Sequence, residues 1–95
     1  MKGTEKQIAW AEEIKTRTVK VINDTIAHLE AMDAPADKKT AAIAEQKRRL
    51  DVVTRIHLAS DMIDGFRTVG GDDLQHDVRV INAAFKGSEK FWLLG

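Results

Sequence analysis

A single proline, Pro35, stands between two long stretches of helical periodicity. Before it, Ile8, Ala11, Ile14, Thr18, Val21, Ile22, Thr25, Ile26, Leu29 and Met32 recur at steps of mostly three and four, uninterrupted by Gly or Pro. That spacing puts them on one face of an α-helix. After it, Ile43, Leu50 and Val53 form one line, and Val52, Ile56, Ala59, Ile63 and Phe66 form a second. Together the two lines make a wide apolar face. The residue before a proline avoids helical geometry, while proline itself suits the first position of a new helix. Asp33-Ala34-Pro35 therefore predicts a tight corner between one helix that starts after Thr4 and runs to Met32 and another over about 36–67.

The ends of the chain repeat one pattern, Lys2-Gly3-Thr4-Glu5-Lys6 and Lys86-Gly87-Ser88-Glu89-Lys90, each followed by a tryptophan, Trp10 or Trp92. Both read as helix starts, because a Thr or Ser hydroxyl accepts a hydrogen bond from an orphan N–H of the first turn. Thr4-x-x-Gln7 is a capping box, whereas Phe91 leaves Ser88 as a simple cap. Gly70-Gly71 ends the second long run, and a shorter helix is expected from Asp72 or Asp73, with the stripe Leu74, Val78, Ile81 and Phe85. A last short turn would carry Phe91, Trp92, Leu93 and Leu94, with Trp10 and Trp92 as buried anchors of one layer. No strand alternation is present. The expected fold is all-α: a long αα-hairpin, one shorter helix and a short C-terminal helical turn in one domain, 1–95.

Two helices of roughly 28–30 residues would each be about 42–45 Å long. A compact domain of this size has a radius of gyration of only about 13 Å. A hairpin that long has too few partners for two wide apolar faces, so docking of hairpins into a helical-bundle homo-oligomer is expected. The simpler alternative is a kink in the second helix, near Gly65, with packing inside one chain.

Composition removes several functions. Lys+Arg and Asp+Glu number 15 each, without the basic surplus of a dedicated DNA binder. There are no cysteines, which removes disulfides, thiolate metal sites and cysteine nucleophiles and fits a reducing, cytoplasmic setting. No apolar run approaches the roughly 20 residues that span a bilayer, and no signal-peptide core is visible. No cofactor motif is present: Gly70-Gly71 lacks the Lys and Ser/Thr of a phosphate loop, and Ser88 has no nearby His.

Two clusters could bear chemistry. Every histidine has an aspartate four residues away, and His57-x-x-x-Asp61-x-x-Asp64 would share one helix face, as a metal or acid–base site. Surface i,i+4 pairs explain the same spacing, and the HExxH pattern is missing. The run Lys47-Arg48-Arg49 with Arg55 could meet phosphate, with Trp92 stacking on a base. The alternative there is a solvated face offset by Glu45 and Asp51, with the tryptophans in the core.

The opening Gly3-Thr4-Glu5-Lys6-Gln7-Ile8-Ala9-Trp10-Ala11-Glu12-Glu13-Ile14-Lys15 resembles small bacterial, plasmid and phage proteins that begin Gly-Ser-Glu-Lys-Gln-Ile-x-Trp-Ala-Glu-x-Ile-Arg. Those proteins often carry Ala-Lys-Phe-Trp-Ile-Asp near the C-terminus, and Glu89-Lys90-Phe91-Trp92-Leu93 is similar to that piece. Thr4, Lys15 and Leu94 depart from the two patterns. The match covers about a fifth of the chain. It implies a mobile-element origin and a host-interaction or counter-defence role, and it carries over no catalytic residue.

The reading that follows is a non-enzymatic phage or mobile-element binding protein. It would inhibit a host protein or sequester a small nucleotide-type ligand through Lys47, Arg48, Arg49, Arg55 and Trp92. The alternative is a helical dimeric nucleic-acid-binding regulator. A further alternative is a metal-dependent enzyme using His57, Asp61 and Asp64.

Overall fold

In a computed structural model, residues 1–87 are described. The expected last turn, with Ser88, Phe91, Trp92, Leu93 and Leu94, lies outside the described residues. Four helices follow one another: α1 (Glu5–Ala31), α2 (Ala36–Arg55), α3 (Ala59–Phe66) and α4 (Leu74–Gly87). No strand occurs among the described residues, and none of their helices is long and apolar enough to cross a membrane.

The start of α1 is the expected capping box. Gln7 N–H donates to Thr4 Oγ1 at 3.2 Å, and Thr4 N–H donates to Gln7 Oε1 at 3.2 Å. The Pro35 corner is also as expected, shifted by one residue: Pro35 is the cap of α2 rather than its first helical residue. Lys39 fastens the corner by donating from Nζ to the Glu30 carbonyl at 3.0 Å.

The second long helix is not continuous. It stops at Arg55, and Ile56 and Leu58 are extended, with ψ of 122° and 123°. The kink anticipated near Gly65 lies instead at 56–58, and Gly65 is an ordinary residue of α3. No Gly or Pro marks the break. Val52, Val53, Thr54 and Ile56 beside it are β-branched and lose side-chain freedom in a helix, which weakens the helix there without by itself ending it. The Thr54 hydroxyl also donates to the Asp51 carbonyl at 2.8 Å, competing with the backbone.

A broken helix orphans backbone groups, and three contacts satisfy them here. Lys15 of α1 donates from Nζ to the Ile56 carbonyl at 3.0 Å, a cation at a helix C-terminus. Lys2 N–H donates to the His57 carbonyl at 2.6 Å, and Ala59 N–H donates to the Lys2 carbonyl at 2.8 Å. Lys2 and Leu58 thereby form an isolated parallel bridge. Gly3 makes this approach possible. Its φ is +152°, and an added Cβ would lie 3.0 Å from Ala59 Cβ.

Because the chain turns at 56–58, α3 folds back onto α1, and α4 packs on both of them. The core gathers Ile14, Val21 and Ile22 of α1, Val53 of α2, Met62 and Phe66 of α3, then Val69 and Ile81, all buried. The molecule measures 46 × 28 × 18 Å, with a radius of gyration of 13.6 Å. The premise of two helices too long for one chain is therefore corrected: α2 has 20 residues, and α3 supplies cover that had been assigned to another copy.

That cover reaches one end only. Between residues 23 and 51 no side chain is buried. We refer to this half of the α1–α2 hairpin as the arm. Two further expectations fail on the surface. Trp10 is 46% exposed rather than a core anchor; it precedes Ala11 by one residue and so lies roughly 100° around the helix from it. Leu74, read as part of the α4 stripe, is also exposed at the first residue of that helix.

Candidate ligand cleft between α2 and α4

Both α2 and α4 pack with their neighbours, yet their backbones do not approach each other among the described residues. A cleft of about 360 Å³ lies between them, lined by Glu45, Arg48 and Arg49 of α2 and by Asn82, Phe85 and Lys86 of α4. Spacings of three and four on each helix direct these side chains to one side.

The α2 residues form a linked cluster. Arg48 grips Glu45 with two bonds, Nε to Oε2 at 3.0 Å and Nη2 to Oε1 at 2.7 Å. Arg49 adds Nε to Glu45 Oε1 at 3.2 Å and reaches across the cleft to donate from Nη1 to Asn82 Oδ1. The hydrogen bond from Arg48 is the main reason the Glu45 carboxyl falls to a pKa of about 2; partial burial opposes it, and Arg49 adds to the fall. Glu45 is thus an anion throughout the physiological range. The guanidinium carbons of Arg48 and Arg49 stand 5.8 Å and 5.2 Å from the Phe85 ring centre, within cation–π range. Phe85 is tilted against the buried Phe66 with centroids 6.2 Å apart, so the floor of the cleft is tied to the core.

The cleft holds Arg48, Arg49 and Lys86 against one carboxylate, Glu45, a net positive site with an aromatic wall. It offers planar donors for phosphate or carboxylate oxygens and a ring for an apolar or planar group.

The other sequence candidates lie elsewhere. Lys47 is exposed and outside the cleft lining. Arg55 pairs with Asp51 at 3.7 Å at the end of α2. Glu45 and Asp51 do offset the basic run, as their spacing suggested. Trp92 lies outside the described residues. His57 is not on a helix with Asp61 and Asp64: it stands in the break, exposed, and only its carbonyl is used. The single-face geometry behind the metal reading is therefore corrected. No group of three or more His, Asp or Glu able to hold a metal occurs among the described residues. The remaining histidine pairs also differ from expectation, since Asp24 pairs with Lys20 at 2.8 Å and His76 meets Asp77, not Asp72, at 3.1 Å.

Asp77 is the buried charge that sequence reading missed. Its carboxylate accepts from Gly70 N–H at 3.0 Å and from Gly71 N–H at 2.8 Å, fixing the loop before α4. Burial pushes its pKa up, but the bonds from Gly70, His76 and Gly71 outweigh burial and hold it below the ordinary carboxylate range. The signal was faint: a helix-start aspartate after two glycines. Phe85 was read only as a stripe residue, and Asn82 carried no signal at all.

Comparison with protein-family models, with curated proteins and with solved structures finds no match to this chain.

Proposed function

We propose that this chain is a non-enzymatic binding protein that takes a small phosphate-bearing ligand of nucleotide type in the α2–α4 cleft. One observation carries the reading: Arg48, Arg49 and Lys86 converge on one cleft floored by Phe85. In that arrangement a phosphate takes the place of the Glu45 carboxylate on the two arginines, and the planar part of the ligand lies toward Phe85. Binding at an open cleft needs no acid, base or nucleophile, so sequestration is the role it fits. The resemblance of both chain ends to mobile-element proteins adds counter-defence as the biological setting. A helical-bundle homo-oligomer belongs to the same proposal.

Isothermal titration with mononucleotides, dinucleotides and inorganic phosphate tests it. Saturable binding of at least one nucleotide is expected, weakened about tenfold or more by Arg49→Gln, because a lost charge-assisted bond costs about 1.5–3 kcal/mol. Glu45→Gln should tighten binding by removing the resident anion. Absence of heat with every nucleotide, beside strongly salt-dependent binding of duplex DNA, would overturn sequestration in favour of a nucleic-acid regulator.

A further inference from the structure

The arm has the form of half a bundle. The residues along its seam, Ile26 and Leu29 on α1 and Ala42, Ile43, Gln46 and Leu50 on α2, are each only half-buried. Two helices cover one side of each other's apolar stripe; a bundle needs further helices on the remaining side. α4 meets the arm at its inner end, where Asn82 and Phe85 face Arg48 and Arg49, but none of residues 23–51 is buried, and Met32 at the end of α1 is 43% exposed.

Charge on the arm is sorted by helix. Residues 23–33 contain Asp24, Glu30 and Asp33 and no Lys or Arg, a net charge of −3. Residues 36–49 contain Lys38, Lys39, Lys47, Arg48 and Arg49 against Asp37 and Glu45, a net charge of +3. The two sets are not joined to each other within the chain. Asp24 is held by Lys20 on its own helix, Glu45 by Arg48 and Arg49 on its own, and Lys39 crosses only to a backbone carbonyl. Among the described residues Glu30, Asp33, Lys38 and Lys47 are exposed and make no ion pair.

We propose that the arm is where two copies of this chain meet, with α1 of one protomer against α2 of its partner, completing a four-helix bundle. The inference rests on the reading that the chain self-associates and adds the surface and the pairing. A two-fold interface brings the same patch to itself, so an acidic α1 beside a basic α2 is self-complementary when the hairpins cross over. Like-with-like pairing of the same hairpins would set −3 against −3 and +3 against +3. Formal net charge zero, from 15 basic and 15 acidic residues, leaves little overall repulsion to oppose the contact.

Sedimentation of the full chain tests both levels. Wild type is expected at twice the chain mass at micromolar concentration. Lys38→Glu with Lys47→Glu makes both arm helices acidic, and Glu30→Lys with Asp33→Lys makes both basic. All four side chains are exposed, and circular dichroism confirms that each variant keeps its helices. Each variant alone should associate about tenfold or more weakly, and an equimolar mixture should recover the wild-type dimer. Undiminished dimers in both variants would overturn the arm as the contact while leaving self-association standing. Weakened variants that do not rescue each other would overturn the α1-against-α2 pairing. A monomeric wild type at hundreds of micromolar would overturn self-association and the arm together.

Discussion

The two ends of the α1–α2 hairpin are built from the same kind of sequence and end differently. Along α1 the apolar steps of three and four hardly change from Ile8 to Met32, yet Ala11, Ile14, Thr18, Val21 and Ile22 are buried, while Ile26 and Leu29 are half-buried and Met32 is exposed. The difference lies in what covers the stripe, not in the stripe. At the packed end the chain breaks at 56–58, and α3, α4 and the Lys2 bridge close over α1. On the arm the cover thins, and no side chain of residues 23–51 is buried. A helical stripe therefore predicts a face that favours burial and says nothing about whether its own chain buries it.

The sharpest way to break this comparison is to remove one large side chain from each end. Phe66→Ala should cost about 3–5 kcal/mol, since a fully buried phenyl leaves a cavity. Leu29→Ala, at a half-buried site, should cost about 1 kcal/mol in dilute solution. Urea unfolding measures both, and equal costs would erase the distinction. A cost at Leu29 that grows with protein concentration would sharpen it instead, since a second copy then covers the arm.

The next effect belongs to the packed end alone. Asp77→Ala strips the acceptors from Gly70 and Gly71 and should destabilise by roughly 2–3 kcal/mol. The folded-state pKa of Asp77 is depressed. Its stabilisation is therefore complete above the unfolded value of about 4 and is lost as pH falls through the lower folded value. Glu45, at about 2, adds a smaller share over the same range, because its side chain is 43% exposed and solvent screens it. Unfolding curves between pH 5 and pH 2 should fall less steeply for Asp77→Ala than for the wild type. Identical slopes would mean that the carboxylate is not held as described.

The smallest effects separate backbone from side chain at the break. Gly3→Ala forces a Cβ toward Ala59 at a positive φ and should cost about 1 kcal/mol. His57→Ala changes an exposed side chain whose carbonyl alone is used, and should stay within about 0.5 kcal/mol. Hydrogen exchange at the Ala59 amide should rise in the first variant and not in the second, with the arm unchanged in both.

The capping box, the Pro35 corner and the all-helical class were legible because each follows from local chemistry. The break after Arg55 was not. It has no Gly or Pro, and what fixes it comes from far away: Lys2 and Lys15, neither of which shows in the sequence near Ile56 that it will be needed there. The arginines of the cleft were visible as a charge run, and Glu45 as their offset. Their wall was not, because Phe85 and Asn82 stand more than 30 positions later and face them only once α4 has packed. Asp77 was missed because nothing in a carboxylate near a helix start shows that it will be buried against the Gly70 and Gly71 amides.

Sequence separation leads us to expect that the order of assembly runs opposite to burial in this molecule. The Pro35 corner joins neighbouring segments, so the arm closes a short loop and can form early. The bridge between Lys2 and Leu58 must gather about three fifths of the chain before it gains anything. The part expected to assemble first is thus the less buried one, and the bridge is expected to form late. A lesion at that bridge, such as Gly3→Ala, should accordingly hasten unfolding and leave the folding rate almost untouched.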